Sequence, residues 1–172
     1  SVLISPEGAI AASYDKIHLF DVTLPNGQRY LESSQAAAGN RAVCVAVEGV
    51  RLGLSICYDL RFPYLYQQLA ADGAAVLAVP AAFTRPTGAA HWLTLLKARA
   101  IENACYVIAP AQCGVHPGGR ETYGHSVIID PWGEVLADAG GDAPGVIYAE
   151  VDPARVAEVR AQIPVLAHRV EI

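Results

Sequence analysis

Short apolar runs alternate with turn-forming clusters along this chain, and the spacing of apolar positions changes from two to nearly four in its middle. Residues 2–4 and 9–14 are β-prone and flank Ser5-Pro6-Glu7-Gly8, which predicts a hairpin. Residues 21–41 are polar and irregular, with Pro25-Asn26-Gly27 as a turn signal. A second hairpin is expected from 43–47 and 51–56 across Glu48-Gly49. Residues 63–72 predict a helix with Pro63 in its first turn and Gly73 at its end. The continuous apolar runs 74–79 and 106–111 predict buried strands. Between them, 89–104 predicts a helix whose apolar face carries Leu93, Leu96, Ala100, Ile101 and Ala104. Further strands are expected at 126–130, 135–137 and 146–151. A last helix starts at Asp152-Pro153 and stops before Pro164. Strands alternating with helices give an α/β or α+β class. The chain carries no internal repeat, low-complexity stretch or linker, so residues 1–172 are read as one domain or part of one.

Composition narrows the function classes. Hydrophobic residues make up 53% and charged residues 17%, which excludes a disordered chain. No apolar run approaches the roughly 18–20 residues that span a bilayer, so no membrane partner is expected. A formal net charge of −5 without a basic cluster argues against a nucleic-acid partner. Cys44, Cys57, Cys105 and Cys113 form no CxxC pair and no compact Cys/His ligand set, so no metal is expected. They read as thiols of a reducing, cytoplasmic compartment. The chain has no Met and opens directly on strand-like Ser1-Val2-Leu3-Ile4, and is expected to be a piece of a longer polypeptide cut inside its domain.

Candidate chemistry concentrates in two segments. In 52–63 an apolar strand ends at Cys57, and Tyr58-Asp59-Leu60-Arg61 leads into a helix. Such an elbow exposes a nucleophile and offers nearby backbone N–H groups as oxyanion donors. A small buried hydrophobe is the competing reading of Cys57. In 14–21, Lys16 follows a predicted strand among apolar neighbours, and a lysine near a thiol would favour its thiolate. A solvated loop lysine is the alternative. Glu32 could pair with Lys16, or could be a surface carboxylate. A Cys–His dyad of Cys57 with His91 or His125 is a further possibility, which no spacing favours.

The stretches YDKIHLFDV (14–22), ICYDLRFP (56–63), PAAFTRPTGAAHW (80–92), KARAIENACYVIAPAQCG (97–114), YGHSVIIDPWGEV (123–135) and IPVLAHR (163–169) resemble, in order, the nitrilase or carbon–nitrogen hydrolase superfamily. Within it the AQCG…YGHS…DPWG series is most similar to the branch acting on deaminated glutathione, with the omega-amidases as near neighbours. The resemblance implies an α-β-β-α four-layer sandwich with its N-terminal part missing, forming a homodimer. It implies hydrolysis of a small carboxylate-bearing amide through a cysteine thioester, with ammonia released and no cofactor required. Carried over by motif, Cys57 is the nucleophile, Lys16 the catalytic lysine and Glu32 the second glutamate that positions it. The family's general-base glutamate precedes the lysine motif and has no counterpart here, so the chain by itself is expected to resemble the C-terminal part of such an enzyme and to lack turnover; a non-catalytic dimerisation or binding module is the rival reading. Tyr58 is expected to contribute its backbone N–H to the oxyanion site. Arg61 is expected to clamp a substrate carboxylate or to pair with Asp59. Phe83 and Thr87 are expected on a substrate-contacting loop, and Trp92 in the core. Tyr64 departs from the family pattern, which often carries Glu after RFP.

Overall fold

The structure, a computed structural model, describes residues 1–24 and 27–170. The expected Pro25-Asn26-Gly27 turn lies partly outside the described residues. The chain begins with two antiparallel hairpins, β1 (Val2–Ile4) with β2 (Ile10–Ser13) and β3 (Asp21–Thr23) with β4 (Arg29–Leu31). The second of these falls in the region expected to be irregular, where the alternation is too short to stand out.

A mixed sheet follows. It contains β5 (Val43–Val47), β6 (Val50–Leu54), β7 (Val76–Ala78), β8 (Tyr106–Ala109), β11 (Val127–Ile129) and β12 (Val135–Asp138), in the order β12-β11-β8-β7-β6-β5. β6, β7 and β8 are parallel, and the outer pairs are antiparallel. The crossovers between parallel strands are α1 (Pro63–Ala71) and α2 (Arg85–Asn103). A third hairpin, β9 (Cys113–Val115) with β10 (Glu121–Tyr123), leaves the sheet after β8. The α/β class is therefore as expected.

Residues alternate across the sheet as the strand period requires. Leu77 and Val107 face α1 and α2, in a core with Leu65, Leu69, Trp92, Leu96 and Ala100. Their neighbours Val76 and Tyr106 face the other way and meet Val156 of α3 (Pro153–Gln162). Asp152 caps α3 by accepting from the Ala154 N–H at 2.8 Å.

Several boundaries differ from expectation for identifiable reasons. β7 and β8 stop before Pro80 and Pro110, which lack the N–H that a ladder needs. α2 begins at Arg85 rather than 89, because Pro86 is tolerated in a first turn and Gly88 is required there. A Cβ on Gly88 would lie 2.3 Å from the Tyr123 Cβ. The buried face of α2 carries Gly88, Trp92, Leu96, Arg99, Ala100 and Asn103, whereas Leu93 and Ile101 are exposed. Arg99 earns its interior place by donating to the Leu60 carbonyl at 3.1 and 2.8 Å and pairing with Glu102. Residues 146–151, expected as a strand, have no strand partner among the described residues and expose Val146 and Tyr148. An extended segment without a ladder is not a strand.

Gly88→Ala should destabilise the protein by about 1–3 kcal/mol, because the new methyl group must displace Tyr123 and the hairpin that carries it. Urea denaturation measures this, with Gly145→Ala as a control at a glycine that meets nothing within 4 Å and is not in the left-handed region.

Candidate active site

Open α/β sheets place ligand sites beyond the carboxyl ends of their parallel strands. Here the chain continues past those ends as an irregular ladder. The Cys57 N–H donates to Pro80 O at 2.9 Å, the Ala81 N–H to Pro110 O at 2.9 Å and the Gln112 N–H to Ala81 O at 2.9 Å. Above this platform lies a cleft of about 810 Å³, lined by residues that include Cys57, Lys16, Glu32 and Phe83. The structure thus brings together the three candidate catalytic residues from separate elements.

Cys57 opens a 3-10 turn that runs to Arg61. Its φ of 49° lies in the left-handed region, which a residue with a side chain occupies only under constraint. That constraint is supplied by the N–H bond to Pro80 on one side and the Asp59 side chain on the other. Burial pushes the Cys57 thiol above its ordinary pKa, opposed by the Ala82 backbone amide and by the Lys16 charge.

Asp59 is the residue whose role the sequence reading missed. It is fully buried. Its Oδ2 accepts from the Tyr14 hydroxyl at 2.7 Å and from the Ile56 N–H at 2.8 Å. Its Oδ1 accepts from the His18 backbone N–H at 3.0 Å and meets His18 Nδ1 at 2.7 Å. With Nδ1 as donor, His18 Nε2 accepts from the Tyr64 hydroxyl. The His18 ring stacks on Phe62 with centroids 3.6 Å apart. Burial and then the bond to Asp59 push the Tyr14 phenol upward, keeping it a donor. Residues 14 and 18 therefore clip the lysine segment to the Cys57 turn. Lys16 lies between them and reaches the cleft. The signal was present in the spacing: Tyr14 and His18 flank Lys16 symmetrically, and Asp59 stands two residues after Cys57.

Glu32 begins a short 3-10 turn after β4. Its Oε2 accepts from Lys16 Nζ and from the Phe20 N–H, the latter at 2.6 Å. The anticipated Lys16–Glu32 pair is thus present, with the Lys16 side chain 11% exposed.

The remaining expected residues also reach the cleft. The Tyr58 ring packs edge-on against Phe20 and Phe62, with centroids 5.0 and 5.3 Å apart. Arg61 does not pair with Asp59, whose oxygens are already filled. Its Nη1 instead donates to His91 Nδ1 at 3.2 Å, and its guanidinium lies 5.3 Å from the Phe83 ring centroid. Thr87 lies in the first turn of α2 rather than on a loop, and its Oγ1 is 2.7 Å from Thr84 Oγ1. Trp92 is fully buried and donates to His125 O at 2.8 Å. Neither His91 nor His125 lines the cleft: the first is held by Arg61, the second by Asp138 at 3.0 Å. A Cys–His dyad at Cys57 is not formed. Sequence reading assigned no site role to Arg120, Gln112 and Ser126, which line the cleft, although Gln112 and Ser126 lie in the AQCG and YGHS stretches. Among the described residues no group of three or more His, Cys, Asp or Glu side chains is arranged to hold a metal, and no helix is long and apolar enough to cross a membrane.

The sequence profile of the carbon–nitrogen hydrolase family matches residues 1–161. The deaminated glutathione amidase of Synechocystis sp. PCC 6803 is 55% identical over 172 residues, which cover 99% of this chain and 63% of that protein. The crystal structure of the Caenorhabditis elegans NitFhit protein superposes with a TM-score of 0.88 at 45% identity, over 98% of this chain and 41% of that one. A mutant amidase from Nesterenkonia sp. AN1, with the acetamide moiety of fluoroacetamide covalently added at its active-site cysteine, superposes at a TM-score of 0.70 and 31% identity, over 82% of this chain and 50% of that one. The chain therefore spans about three-fifths of the length of the Synechocystis relative. The matches run along essentially its whole length and do not by themselves bear out its reading as a C-terminal part.

Two outcomes follow from the geometry. Asp59→Asn replaces an acceptor of four bonds by an amide with one acceptor oxygen, and should destabilise the fold by about 2–4 kcal/mol in urea denaturation. Iodoacetamide labelling of Cys57, followed peptide by peptide, should have its pH midpoint above that of a free thiol, because burial disfavours the thiolate. Lys16→Met should raise the midpoint further by removing the neighbouring cation. An unmoved midpoint would show that Lys16 does not act on the thiol. Cys105, which is fully buried, should stay unlabelled while the fold is intact.

Proposed function

This chain belongs to the carbon–nitrogen hydrolase family, and from that premise we propose that it carries the reactive cysteine of an amidase acting on a small carboxylate-bearing amide, most like deaminated glutathione amidase. The observation that carries the reading is the convergence of Cys57, Lys16 and Glu32 in one cleft, with Cys57 held in a left-handed conformation at a strand-to-turn junction. The omega-amidases are the neighbouring alternative within the same chemistry.

The parts divide as follows. A carboxylate general base takes the Cys57 proton, the role that the resemblance gives to a glutamate upstream of the lysine motif. Sγ then attacks the amide carbon, and a C–S bond forms as the carbonyl π electrons move onto oxygen. Lys16 Nζ and the Tyr58 N–H, the amide following the nucleophile, stabilise that oxyanion. Glu32 orients the lysine and keeps its charge at the site. When the tetrahedral intermediate collapses, the proton passes to the leaving nitrogen and the C–N bond breaks. Ammonia leaves from a primary amide, an amine from a substituted one. Water cleaves the remaining thioester, which regenerates the thiol and releases the acid. Arg61 receives the acyl-side carboxylate, and Phe83 and Thr87 line its methylene groups; the position of all three in the cleft lining supports this reading. The four free cysteines suit a cytoplasmic setting, and the resemblance supports a homodimer.

The test uses a parent enzyme that carries this sequence together with an upstream glutamate, and consists of acid quenching during reaction with an ω-amide, followed by mass spectrometry of the peptides. Acyl transfer should appear on Cys57 alone, and acylation elsewhere or nowhere would refute the assignment. Steady-state hydrolysis should fall at least about 10³-fold in Cys57→Ser, a far weaker nucleophile. It should fall about 10²–10³-fold in Lys16→Arg, whose planar guanidinium cannot take the ammonium's place beside Glu32.

A further inference from the structure

The turn that carries Cys57 is gripped by α2 at two neighbouring residues. Arg99 donates to the Leu60 carbonyl at 3.1 and 2.8 Å, through Nε and Nη2. About two helical turns earlier on α2, His91 meets the next residue of the Cys57 turn, with its Nδ1 3.2 Å from Arg61 Nη1. Trp92 beside it is fully buried and donates to His125 O at 2.8 Å, which fixes the rotation of the helix and so the direction in which His91 leaves it. His91 does not line the cleft, whereas Arg61 and Phe83 do.

The chemistry of this contact is directional. A guanidinium has only donors, so the imidazole Nδ1 is the acceptor and carries no proton in this arrangement. The partner of Arg61 is therefore a neutral ring and not a carboxylate. Asp59, the carboxylate of the same turn, has both oxygens filled by Tyr14, Ile56 and His18. Glu32, the carboxylate that lines the cleft, is engaged by Lys16. Among the described residues Arg61 forms no ion pair. Its second restraint is also uncharged, the Phe83 ring, whose centroid lies 5.3 Å from the guanidinium carbon.

Orienting an arginine and keeping its charge are competing demands. A carboxylate partner would do the first and cancel the second. Solvent would leave the charge and impose no direction. An imidazole nitrogen together with an aromatic face orients the guanidinium and leaves its charge to whatever enters the cleft.

We propose that His91 is a positioning residue that holds the Arg61 guanidinium at the cleft as a neutral hydrogen-bond acceptor, so that the full charge of Arg61 serves a carboxylate ligand. His91 itself touches no substrate. The inference rests on the amidase reading for the identity of the group that Arg61 meets, the acyl-side carboxylate.

The experiment alkylates Cys57 of the full chain with two reagents of nearly equal size, iodoacetate and iodoacetamide, followed peptide by peptide. In both, Sγ displaces iodide and an S–C bond forms, but only the first reagent carries a carboxylate. Both need the same thiolate, so the ratio of their rates isolates the attraction of the carboxylate. The iodoacetate-to-iodoacetamide ratio should be higher in the native chain than in the chain unfolded in urea. His91→Ala should lower the native ratio about 3–10-fold, the worth of one ordinary hydrogen bond. His91→Asn, whose Oδ1 takes the place of Nδ1, should restore it. His91→Glu should lower it at least as far as His91→Ala, because it keeps Arg61 oriented and cancels its charge. With Arg61→Ala in place, His91→Ala should change nothing further. A native ratio no higher than the unfolded one would overturn the proposal. So would a ratio unchanged by His91→Ala, left low by His91→Asn, kept high by His91→Glu, or lowered equally with and without Arg61. The two readings fail separately. If the ratios behave as stated but the parent enzyme is acylated at no cysteine, the amidase reading falls and the role of His91 stands.

Discussion

The Asp59 carboxyl group is buried without contact with water, and its tolerance there depends on the four hydrogen bonds it accepts. A carboxylate in such a place, left unpartnered, would be strongly destabilising. The donors come from two directions. Ile56 belongs to the strand end that delivers Cys57, and Tyr14 and His18 belong to the segment that delivers Lys16. One side chain thus spans a sequence separation that neither segment closes by itself. Breaking the contact frees the lysine segment from the cysteine turn, although no atom of Asp59 needs to touch a substrate.

The same tie explains how Cys57 can hold a backbone conformation that side chains avoid. With its N–H bound to Pro80 and the following turn anchored through Asp59, the residue has little freedom to relax. The side chain is directed into a cleft where burial disfavours the thiolate. The opposing influence of Lys16 is strongest when negative charge has formed on sulfur or on the carbonyl oxygen. This arrangement disfavours the resting anion and favours charge that develops later, as the proposed attack on an amide needs.

Much of this was legible in the sequence, and the exceptions have physical causes. The parallel strands, their crossover helices and the Cys57 elbow follow from apolar runs punctuated by proline and glycine. The Lys16–Glu32 pair was readable as complementary charge beside a candidate nucleophile. The face of α2 was misjudged because hydrophobicity favoured Leu93 and Ile101, whereas the buried row admits Arg99 and Asn103 through hydrogen bonds that no hydropathy pattern encodes. Residues 146–151 look like a strand in composition, but pairing depends on which edges are available. Asp59 was hidden for a similar reason: its partners lie 41 and 45 residues away along the chain, and only the fold reveals how many donors converge on it.

The β9–β10 hairpin has a consequence for how such a site can diversify. Its strands are fastened to the Phe83–Thr84 segment, while its tip holds Gly118 and Gly119, around which a methyl group would meet nothing within 4 Å. Both glycines have a left-handed φ, so a side chain there would strain the turn, but that strain stays in the tip and does not reach the sheet, the Asp59 tie or the Cys57 turn. A change at the hairpin tip is thereby kept apart from the assembly of Cys57, Lys16 and Glu32.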